Sequence, residues 1–259
     1  ESKIFNFNEK IFNEKNNDLE KITSFWGAVK VFDIDNDNDE DIILGNIGEN
    51  FSLKANADGP LKLWVNDFDK NQLTDKVMSK SVGGKDVPIF LKREMTEQFP
   101  FLKTQVLKHS EYAKKTIGDL FASDVIENAQ VRDVSYLKSV IAINDGKGNF
   151  KLKELPDRVQ FSCVNAISTF DVNKDGKTDI LLAGNSYTML PQFGRLDGCT
   201  GLLLLNKGQG NFDVITSKQS GFRTNGQVKQ MQPIVANNKN FLLSVAKNEK
   251  PQLFSLEKP

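Results

Sequence analysis

Short apolar runs recur along most of the chain and are separated by residues that favour turns. The runs are rich in Val, Ile, Leu and Phe, and Gly, Asn and Asp often bound them. This pattern is typical of short β-strands. Their number and spacing predict an all-β fold of the sandwich, barrel or propeller type. The runs cover residues 28–32, 41–44, 61–65, 139–143, 150–152, 164–170, 180–183, 201–205, 212–215, 232–235, 241–245 and 252–256.

One stretch has a different period. Between about residues 90 and 130, apolar residues recur at the three- and four-residue spacing of an amphipathic helix. Leu102 and Val106 form one such pair, and Ile117 and Leu120 form another. Pro100 would interrupt a single long helix. We therefore expect a helical insertion of at least two short helices within one β-rich region that spans residues 1–259.

Two motifs occur more than once, and such internal repeats narrow the choice of fold. Residues 144–150 recur as residues 206–212, and each copy joins two apolar runs as a glycine-containing hairpin turn would. Residues 32–46 recur as residues 170–185. Residues 67–75 are a diverged third copy of this longer motif. The chain is therefore expected to contain repeated β units.

The longer motif places oxygen-bearing side chains at alternate positions of a short loop. Counted from the first aspartate, positions one, three, five and nine carry a carboxylate or an amide in each copy. Calcium prefers about six to eight oxygen ligands, and alternate positions of a tight loop can direct several side chains to one centre. The predicted ligands are Asp33, Asp35, Asp37 and Asp41, then Asp171, Asn173, Asp175 and Asp179, and in the third copy Asp67, Asp69, Asn71 and Asp75.

Positions six and seven of the loop have separate tasks. Position six is Asn38 or Gly176, and both tolerate the left-handed backbone that the turn needs. Position seven would contribute its backbone carbonyl, so its side chain is free to vary. Position seven is occupied by Asp39, Leu73 and Lys177.

These loops predict two calcium sites and a third at residues 67–75, with calcium stabilising the folded state. The spacing is similar to the start of an EF-hand loop, but strands flank it and leucine stands where the EF-hand has its final glutamate. The alternative is that the loops are ordinary polar β-turns. This alternative is stronger for residues 67–75, which lack glycine and contain Leu73 within the loop.

Charge and composition exclude some classes of protein. The chain has 34 Lys and Arg and 34 Asp and Glu, so its net charge of zero disfavours a nucleic-acid binder. No apolar run approaches the roughly 20 residues of a membrane helix. The single histidine, His109, leaves no Ser/His/Asp set in a β context. Cys163 and Cys199 would form either one disulfide or two separate buried thiols.

The longer motif resembles the FG-GAP/VCBS repeats of integrin-α-like β-propellers. Residues 45–50, 63–69 and 191–197, together with the helical insertion, resemble the C-terminal part of bacterial outer-membrane surface proteins that carry such repeats. The resemblance implies blades of four-stranded antiparallel sheet, with calcium held between the first two strands of a blade. It also implies export and a lipid anchor at the outer membrane. At roughly 40–50 residues per blade, the chain would make about four blades. We therefore expect a fragment, an open propeller, or a subunit that a partner completes.

The function expected from these features is a calcium-stabilised, non-catalytic interaction module at the cell surface. Its partner would be a protein at the bacterial outer membrane, such as a transport complex or the rest of the propeller, or a glycan. The alternative is a polysaccharide lyase or hydrolase built on a propeller, with paired carboxylates as acid and base. Candidate residues for an exposed binding surface, each with core packing as the alternative, are Trp26, Trp64, Tyr187, Phe193 and Arg195.

Overall fold

The fold consists mainly of antiparallel sheets, as the sequence predicts. The computed structural model describes residues 4–8, 11–15 and 18–256, and it describes side chains from residue 18 onward. The chain divides into two compact units. The first unit combines Glu1–Ser52 with Leu137–Pro259, and the second is Leu53–Tyr136.

The described residues form seventeen strands and six α-helices. The strands are β1 (Ile4–Asn8), β2 (Ile11–Lys15), β3 (Ala28–Phe32), β4 (Asp41–Gly45), β5 (Leu61–Asn66), β6 (Asp75–Val82), β7 (Lys85–Pro88), β8 (Gln130–Val134), β9 (Val140–Asn144), β10 (Phe150–Glu154), β11 (Val164–Phe170), β12 (Asp179–Gly184), β13 (Leu202–Gly208), β14 (Asn211–Thr216), β15 (Gln227–Ala236), β16 (Lys239–Lys247) and β17 (Gln252–Ser255). The helices are α1 (Lys92–Gln98), α2 (Leu102–Gln105), α3 (His109–Tyr112), α4 (Ile117–Leu120), α5 (Ser123–Glu127) and α6 (Ser217–Ser220). Every apolar run predicted from the sequence overlaps one of these strands.

The first unit contains two four-stranded sheets, one three-stranded sheet and a two-stranded hairpin. Their strand orders are β10-β9-β4-β3, β11-β12-β13-β14, β15-β16-β17 and β1-β2, and all the pairings are antiparallel. The chain leaves the first of these sheets after β4 and re-enters it at β9. The whole second unit is therefore an insertion, in sequence, between two neighbouring strands of one sheet.

Strand β12 explains how the three larger sheets of the first unit share a core. All six of its residues are buried, and successive side chains of a strand point to opposite faces. Ile180 and Leu182 pack with Ile43 and Ile141 of the β10-β9-β4-β3 sheet. Leu181 and Ala183 belong to a second cluster, which includes Val228, Met231 and Leu242 of the β15-β16-β17 sheet. The β11–β14 sheet is therefore packed on both faces, which is why residues 180–183 of β12 form an unbroken apolar run.

The second unit combines a β7-β6-β5-β8 sheet with helices α1–α5. The helices predicted from the period of residues 90–130 thus belong to a unit that also contains four strands. Its core is aromatic: the Phe99 ring lies 5.0 Å from Phe121 and 6.1 Å from Phe68 between centroids. The sequence interpretation missed β6, β7 and β8. In β6 the buried Val77 and Ser79 are flanked by the exposed Lys76 and Lys80, and β8 is largely exposed, so neither strand has an apolar run.

The two cysteines are not joined to each other, since Cys163 and Cys199 are both buried free thiols. In the part of the chain that the structure describes, no helix has the length and apolar character needed to cross a membrane.

Candidate functional site

Three loops of the described structure share one pattern of hydrogen bonds. We call residues 33–41, between β3 and β4, the first acidic loop. Residues 67–75, between β5 and β6, are the second, and residues 171–179, between β11 and β12, are the third. The first and third lie in the first unit, and the second lies in the second unit. Positions one to nine are numbered within each loop.

The carboxylate at position one organises each loop by accepting two backbone N–H groups. In the third loop, Asp171 accepts from the N–H of Asp175 at 3.1 Å and from that of Gly176 at 2.9 Å. The same two bonds, from positions five and six, reach Asp67 at 3.0 and 2.7 Å and Asp33 at 3.3 and 3.0 Å. A short polar side chain that holds its own backbone in this way stabilises a tight turn.

Two positions of every loop adopt the left-handed backbone. Position four has φ of 64°, 60° and 62° in the first, second and third loops, and position six has 71°, 71° and 83°. Gly176 adopts this conformation without strain, whereas Gln72 carries a Cβ there. The second acidic loop therefore keeps the geometry of the motif although it lacks the glycine. The missing glycine was the reason to doubt this loop from its sequence.

In the first and third loops, the carboxylate at position nine is buried where the loop meets the sheet. Asp41 and Asp179 are fully buried. One oxygen of Asp179 accepts the N–H of Val172 at 2.9 Å, and the other accepts the N–H of Asn206 at 2.9 Å. Asp41 accepts in the same way from Ile34 at 2.9 Å and from Asn144 at 2.8 Å. Burial raises the pKa of both aspartates, and these N–H donors partly offset the rise.

Asn144 and Asn206 are residues that the sequence interpretation did not include in the site. Each is the first residue of the shorter repeat, for which the sequence predicts only a hairpin turn. The sequence did contain a signal for these two residues, because two of the acidic loops are each followed along the chain by one copy of the shorter repeat. In the second loop, Asp75 likewise accepts the N–H of Phe68 at 3.1 Å, but its other oxygen accepts from Nε2 of Gln98 at 3.3 Å, and no copy of the shorter repeat serves that loop.

Predicted ligand carboxylates converge in the first and second loops. One oxygen from each of Asp33, Asp35 and Asp37 lies within 4.8 Å of the others, and the same holds for Asp67, Asp69 and Asp75. In the third loop, position three is Asn173, and the structure does not bring three carboxylates together to this extent among its described residues. The amide of Asn173 instead accepts from the Asp175 N–H at 3.1 Å and donates to its carboxylate at 3.0 Å.

The first loop contains carboxylate oxygens whose hydrogen-bonding capacity is unused. Oδ1 of Asp35 and Oδ1 of Asp39 are shielded from water and have no hydrogen-bond partner in the described structure. Burial, followed by the negative charges of Asp37, Asp41 and Asp33, raises the pKa of both carboxyls. Shielded anionic oxygens without donors are costly unless a cation compensates them. The donor set of hard oxygens and its negative charge therefore fit a hard divalent cation.

In the third loop, hydrogen-bond donors compensate more of the carboxylate charge than they do in the first loop. The N–H of Lys177 and the amide of Asn173 donate to Asp175 and lower its pKa, so its charge is already compensated. In all three loops the N–H of position seven donates to the side chain at position five, at 3.1 Å in the first, 2.7 Å in the second and 2.9 Å in the third. The side chain at position seven takes no part in this hydrogen bond. In the second loop, the side chain of Leu73 at this position is 68% exposed.

The aromatic residues suggested for a binding surface have mixed positions. Trp64 is buried, and its Nε1 donates to Oγ of Ser79 at 2.9 Å, so core packing is its role. Tyr187 is half-buried beneath the exposed guanidinium of Arg195, whose carbon lies 3.9 Å from the ring centroid. Phe193 is half-buried and packs edge-on against Phe51 at 6.2 Å. Trp26 is also half-buried.

A cavity of about 390 Å³ lies within the second unit. Trp64, Lys85, Asp86, Thr116 and Asp119 contribute to its wall. Its carboxylates already have partners: Asp86 pairs with Lys62 at 3.0 Å, and Asp119 accepts from Thr116 at 2.8 and 2.9 Å. These bonds from Thr116 lower the pKa of Asp119. The wall combines polar and apolar side chains, and its two carboxylates are already paired.

Comparison with known proteins does not assign the chain to a family. No protein-family model matches the sequence, and no curated protein is significantly similar to it.

Proposed function

We propose that this chain is a calcium-stabilised, non-catalytic interaction module of the FG-GAP/VCBS type, built from stacked sheets of a β-propeller. One observation carries the proposal: three loops repeat the same hydrogen-bond frame, and the first of them holds converging carboxylates with shielded, unpartnered oxygens. Ordinary polar turns are not expected to contain so many neighbouring carboxylates, because the negative charges repel one another.

The calcium ion would supply positive charge at these loops and nothing else. Asp33, Asp35 and Asp37 would hold it in the first loop, and Asp67, Asp69 and Asp75 would hold it in the second. Asp171, Asn173 and Asp175 are the corresponding oxygen donors in the third loop. A cation that binds the folded chain but not the unfolded chain adds about 2.7 kcal/mol of stability at 100 times its Kd.

The propeller part of the proposal is supported by how the sheets of the first unit pack. Three sheets stack face to face through the two clusters that meet at β12. Within the four-stranded sheets of this unit, each acidic loop joins two adjacent antiparallel strands, β3 with β4 and β11 with β12. Consecutive stacked sheets of this kind are the building pattern of a propeller.

The β15-β16-β17 sheet offers a surface for the proposed protein partner. The face opposite the shared core carries Val245 and Leu253, which are 41% and 59% exposed, and Ile234, which is 37% exposed. An apolar sheet face of this kind favours a further sheet stacked against it. We therefore propose that the rest of a propeller, or an outer-membrane protein complex, binds here. Export and a lipid anchor at the cell surface belong to the proposal through the resemblance to FG-GAP/VCBS proteins alone.

The calcium proposal is tested by thermal unfolding of the full chain after chelation and after calcium is added back. We expect calcium to raise the melting temperature, and elemental analysis to find calcium in protein purified without chelator. The variant Asp35→Ala should lose part of the calcium-dependent rise. Asp213→Ala, which removes an exposed aspartate paired with Lys207, should keep all of it. An identical melting temperature with and without calcium, together with no bound metal, would refute the proposal.

The surface proposal is tested by capture of binding proteins from an outer-membrane extract with the full chain as bait. Capture should be lost with Leu253→Lys and retained with Leu107→Lys, which changes an exposed leucine that lies outside this sheet. Equal capture by both variants would show that the β15-β16-β17 face is not the binding surface.

A further inference from the structure

Hydrogen bonds from one buried side chain connect the first and third acidic loops. Nδ2 of Asn206 donates to the carbonyl oxygen of Ile34, at position two of the first loop, at 2.7 Å. The same nitrogen donates to the carbonyl oxygen of Thr178, at position eight of the third loop, at 3.1 Å. Asn206 is 1% exposed, so water cannot readily replace either acceptor.

Both ends of this bridge are tied to the carboxylates that close the loops. The backbone N–H of Asn206 donates to Asp179, at position nine of the third loop, at 2.9 Å. The N–H of Ile34 donates to Asp41, at position nine of the first loop, at 2.9 Å. The side chain of Ile34 is 1% exposed and packs in the cluster that contains Ile180 and Leu204. The first loop is therefore anchored by its backbone and by its apolar side chain to the sheet that carries the third loop.

A second bridge connects the loops near the surface. Nδ2 of Asn36, at position four of the first loop, donates to the carbonyl oxygen of Gly176, at position six of the third, at 3.3 Å. Both residues have left-handed backbones, at φ of 64° and 83°. Each bridge can form only when the loops have their native turn conformations, because the donor or the acceptor is itself part of a turn.

We propose that calcium binds the first and third acidic loops with positive cooperativity, and that Asn206 transmits most of the coupling. The inference rests on the calcium sites proposed above. A cation that orders one loop fixes one acceptor of the Asn206 side chain, so the other loop has less conformational entropy to lose when its own cation binds. The coupling is reciprocal, so each site tightens the other by the same factor.

The chain contains its own controls for this coupling. Asn144 is the counterpart of Asn206 in the shorter repeat, and its Nδ2 donates to the carbonyl oxygen of Glu40 at 3.1 Å, within the first loop. Asn144 therefore supports one loop, whereas Asn206 supports two. The second acidic loop belongs to the other compact unit, and Gln98 holds its closing Asp75.

The experiment is an NMR titration of the full chain with calcium alone, after chelator has been removed. The backbone amides of Asn38, Gln72 and Gly176 each donate to the position-one carboxylate of their own loop, so they report the occupancy of the first, second and third loops separately. Asp35→Ala disables the first loop at a side chain whose Oδ1 has no hydrogen-bond partner. The matched change at position three of the second loop is Asp69→Ala.

Cooperativity predicts that Asp35→Ala weakens calcium binding at the Gly176 amide by at least about fivefold, and that Asp69→Ala leaves it unchanged. An unchanged midpoint at Gly176 in Asp35→Ala, with calcium still bound, would overturn the coupling while the calcium sites stand. If none of the three amides responds to calcium, both the coupling and the proposed function are wrong.

The role of Asn206 is tested by repeating the comparison in two backgrounds. In Asn206→Ala, the effect of Asp35→Ala on the Gly176 midpoint should fall to less than about half, whereas in Asn144→Ala it should persist. If Asn206→Ala does not fold, Asn36→Gly breaks the surface bridge at an exposed position, with Lys174→Gly as its control. The Asn36 change should reduce the coupling and the Lys174 change should not. Equal coupling in all these backgrounds would contradict a hydrogen-bonded connection.

Discussion

Asn206 donates its backbone N–H to Oδ1 of Asp179 at 2.9 Å, and neither residue is more than 1% exposed. The other oxygen of Asp179 accepts the N–H of Val172 at the same distance. The carboxylate therefore joins the third acidic loop to strand β13, through a residue that lies 27 positions further along the chain. This bond fixes the position of the loop relative to the sheet. The last aspartate of the motif therefore has a structural role in addition to any role as a ligand.

The first prediction concerns this structural role. Asp179→Asn replaces one acceptor oxygen with an NH₂ group, so one of the two backbone N–H donors loses its partner. We expect the free energy of unfolding to fall by about 1–3 kcal/mol, in chelator as well as in calcium. Urea unfolding measures the change. Asp213→Asn, at an exposed ion pair with Lys207, should cost less than about 1 kcal/mol. Equal losses for the two variants would contradict this structural role.

The second prediction concerns the charge of Asp35. Burial and the neighbouring aspartates raise its pKa in the folded state above the unfolded-state value, so ionisation opposes folding as pH rises through the folded-state pKa. In chelator at pH 7, Asp35→Asn should therefore have a higher melting temperature than the unaltered chain. The advantage should disappear when the pH falls below about 3.9, where the carboxyl is protonated in both states.

In saturating calcium the order should reverse, because the amide is a weaker ligand than the carboxylate. Melting curves at several pH values, with chelator and with calcium, measure both effects. Asp58→Asn, at an exposed aspartate outside the loops, should show neither effect. A lower melting temperature for Asp35→Asn in chelator at pH 7 would show that its charge is not repelled by its neighbours.

The third prediction concerns the backbone of the second acidic loop. Gln72 has φ of 71°, a conformation that costs an L-residue roughly 1–2 kcal/mol relative to glycine. We expect Gln72→Gly to stabilise the chain by about 0.5–1 kcal/mol, after the greater entropy of glycine in the unfolded state is subtracted. Denaturant unfolding measures the gain. Thr74→Gly, two positions later, where φ is not positive, should instead destabilise the chain.

The fourth prediction concerns the glycine at the end of the longer repeat. A Cβ placed on Gly184 would lie 1.7 Å from the carbonyl oxygen of Cys163, which belongs to the backbone and cannot move aside. Gly184→Ala should therefore cost several kcal/mol or prevent folding. The matched change Gly59→Ala meets nothing closer than 3.6 Å and should stay within about 0.5 kcal/mol of the unaltered chain. Expression and thermal melting of both variants test the difference, and a stable Gly184→Ala protein would contradict the close approach.

Eleven of the thirteen strands described in the first unit were predictable because their patterns are local, whereas β1 and β2 were not predicted. Each apolar run is short and bounded by turn residues, and each overlaps a strand of the structure. The second unit was less predictable. Strand β6 buries Ser79 beside Val77, and β8 is mostly exposed, so their places in the sheet depend on partners rather than on their own hydrophobicity.

The candidate site divides in the same way. The spacing of the acidic residues predicted the loops, because position one holds the backbone N–H groups four and five residues later. The same spacing could not show that Asn206 serves two loops. It also could not show that oxygens of Asp35 and Asp39 are left without donors, because that depends on how the loop is packed.

By itself, the sequence determined the strands that have apolar runs, the three acidic loops and the turns that accompany two of them, since these depend on side-chain alternation and on hydrogen bonds within nine residues. Only the tertiary structure decided that the first and third loops are joined, because the bond from Asn206 to Ile34 spans 172 residues of chain. It likewise decided that the second loop belongs to a separate compact unit. Contacts of that range form only after the sheets stack, and the stacking is driven by apolar area buried on both faces of β12 rather than by any local pattern.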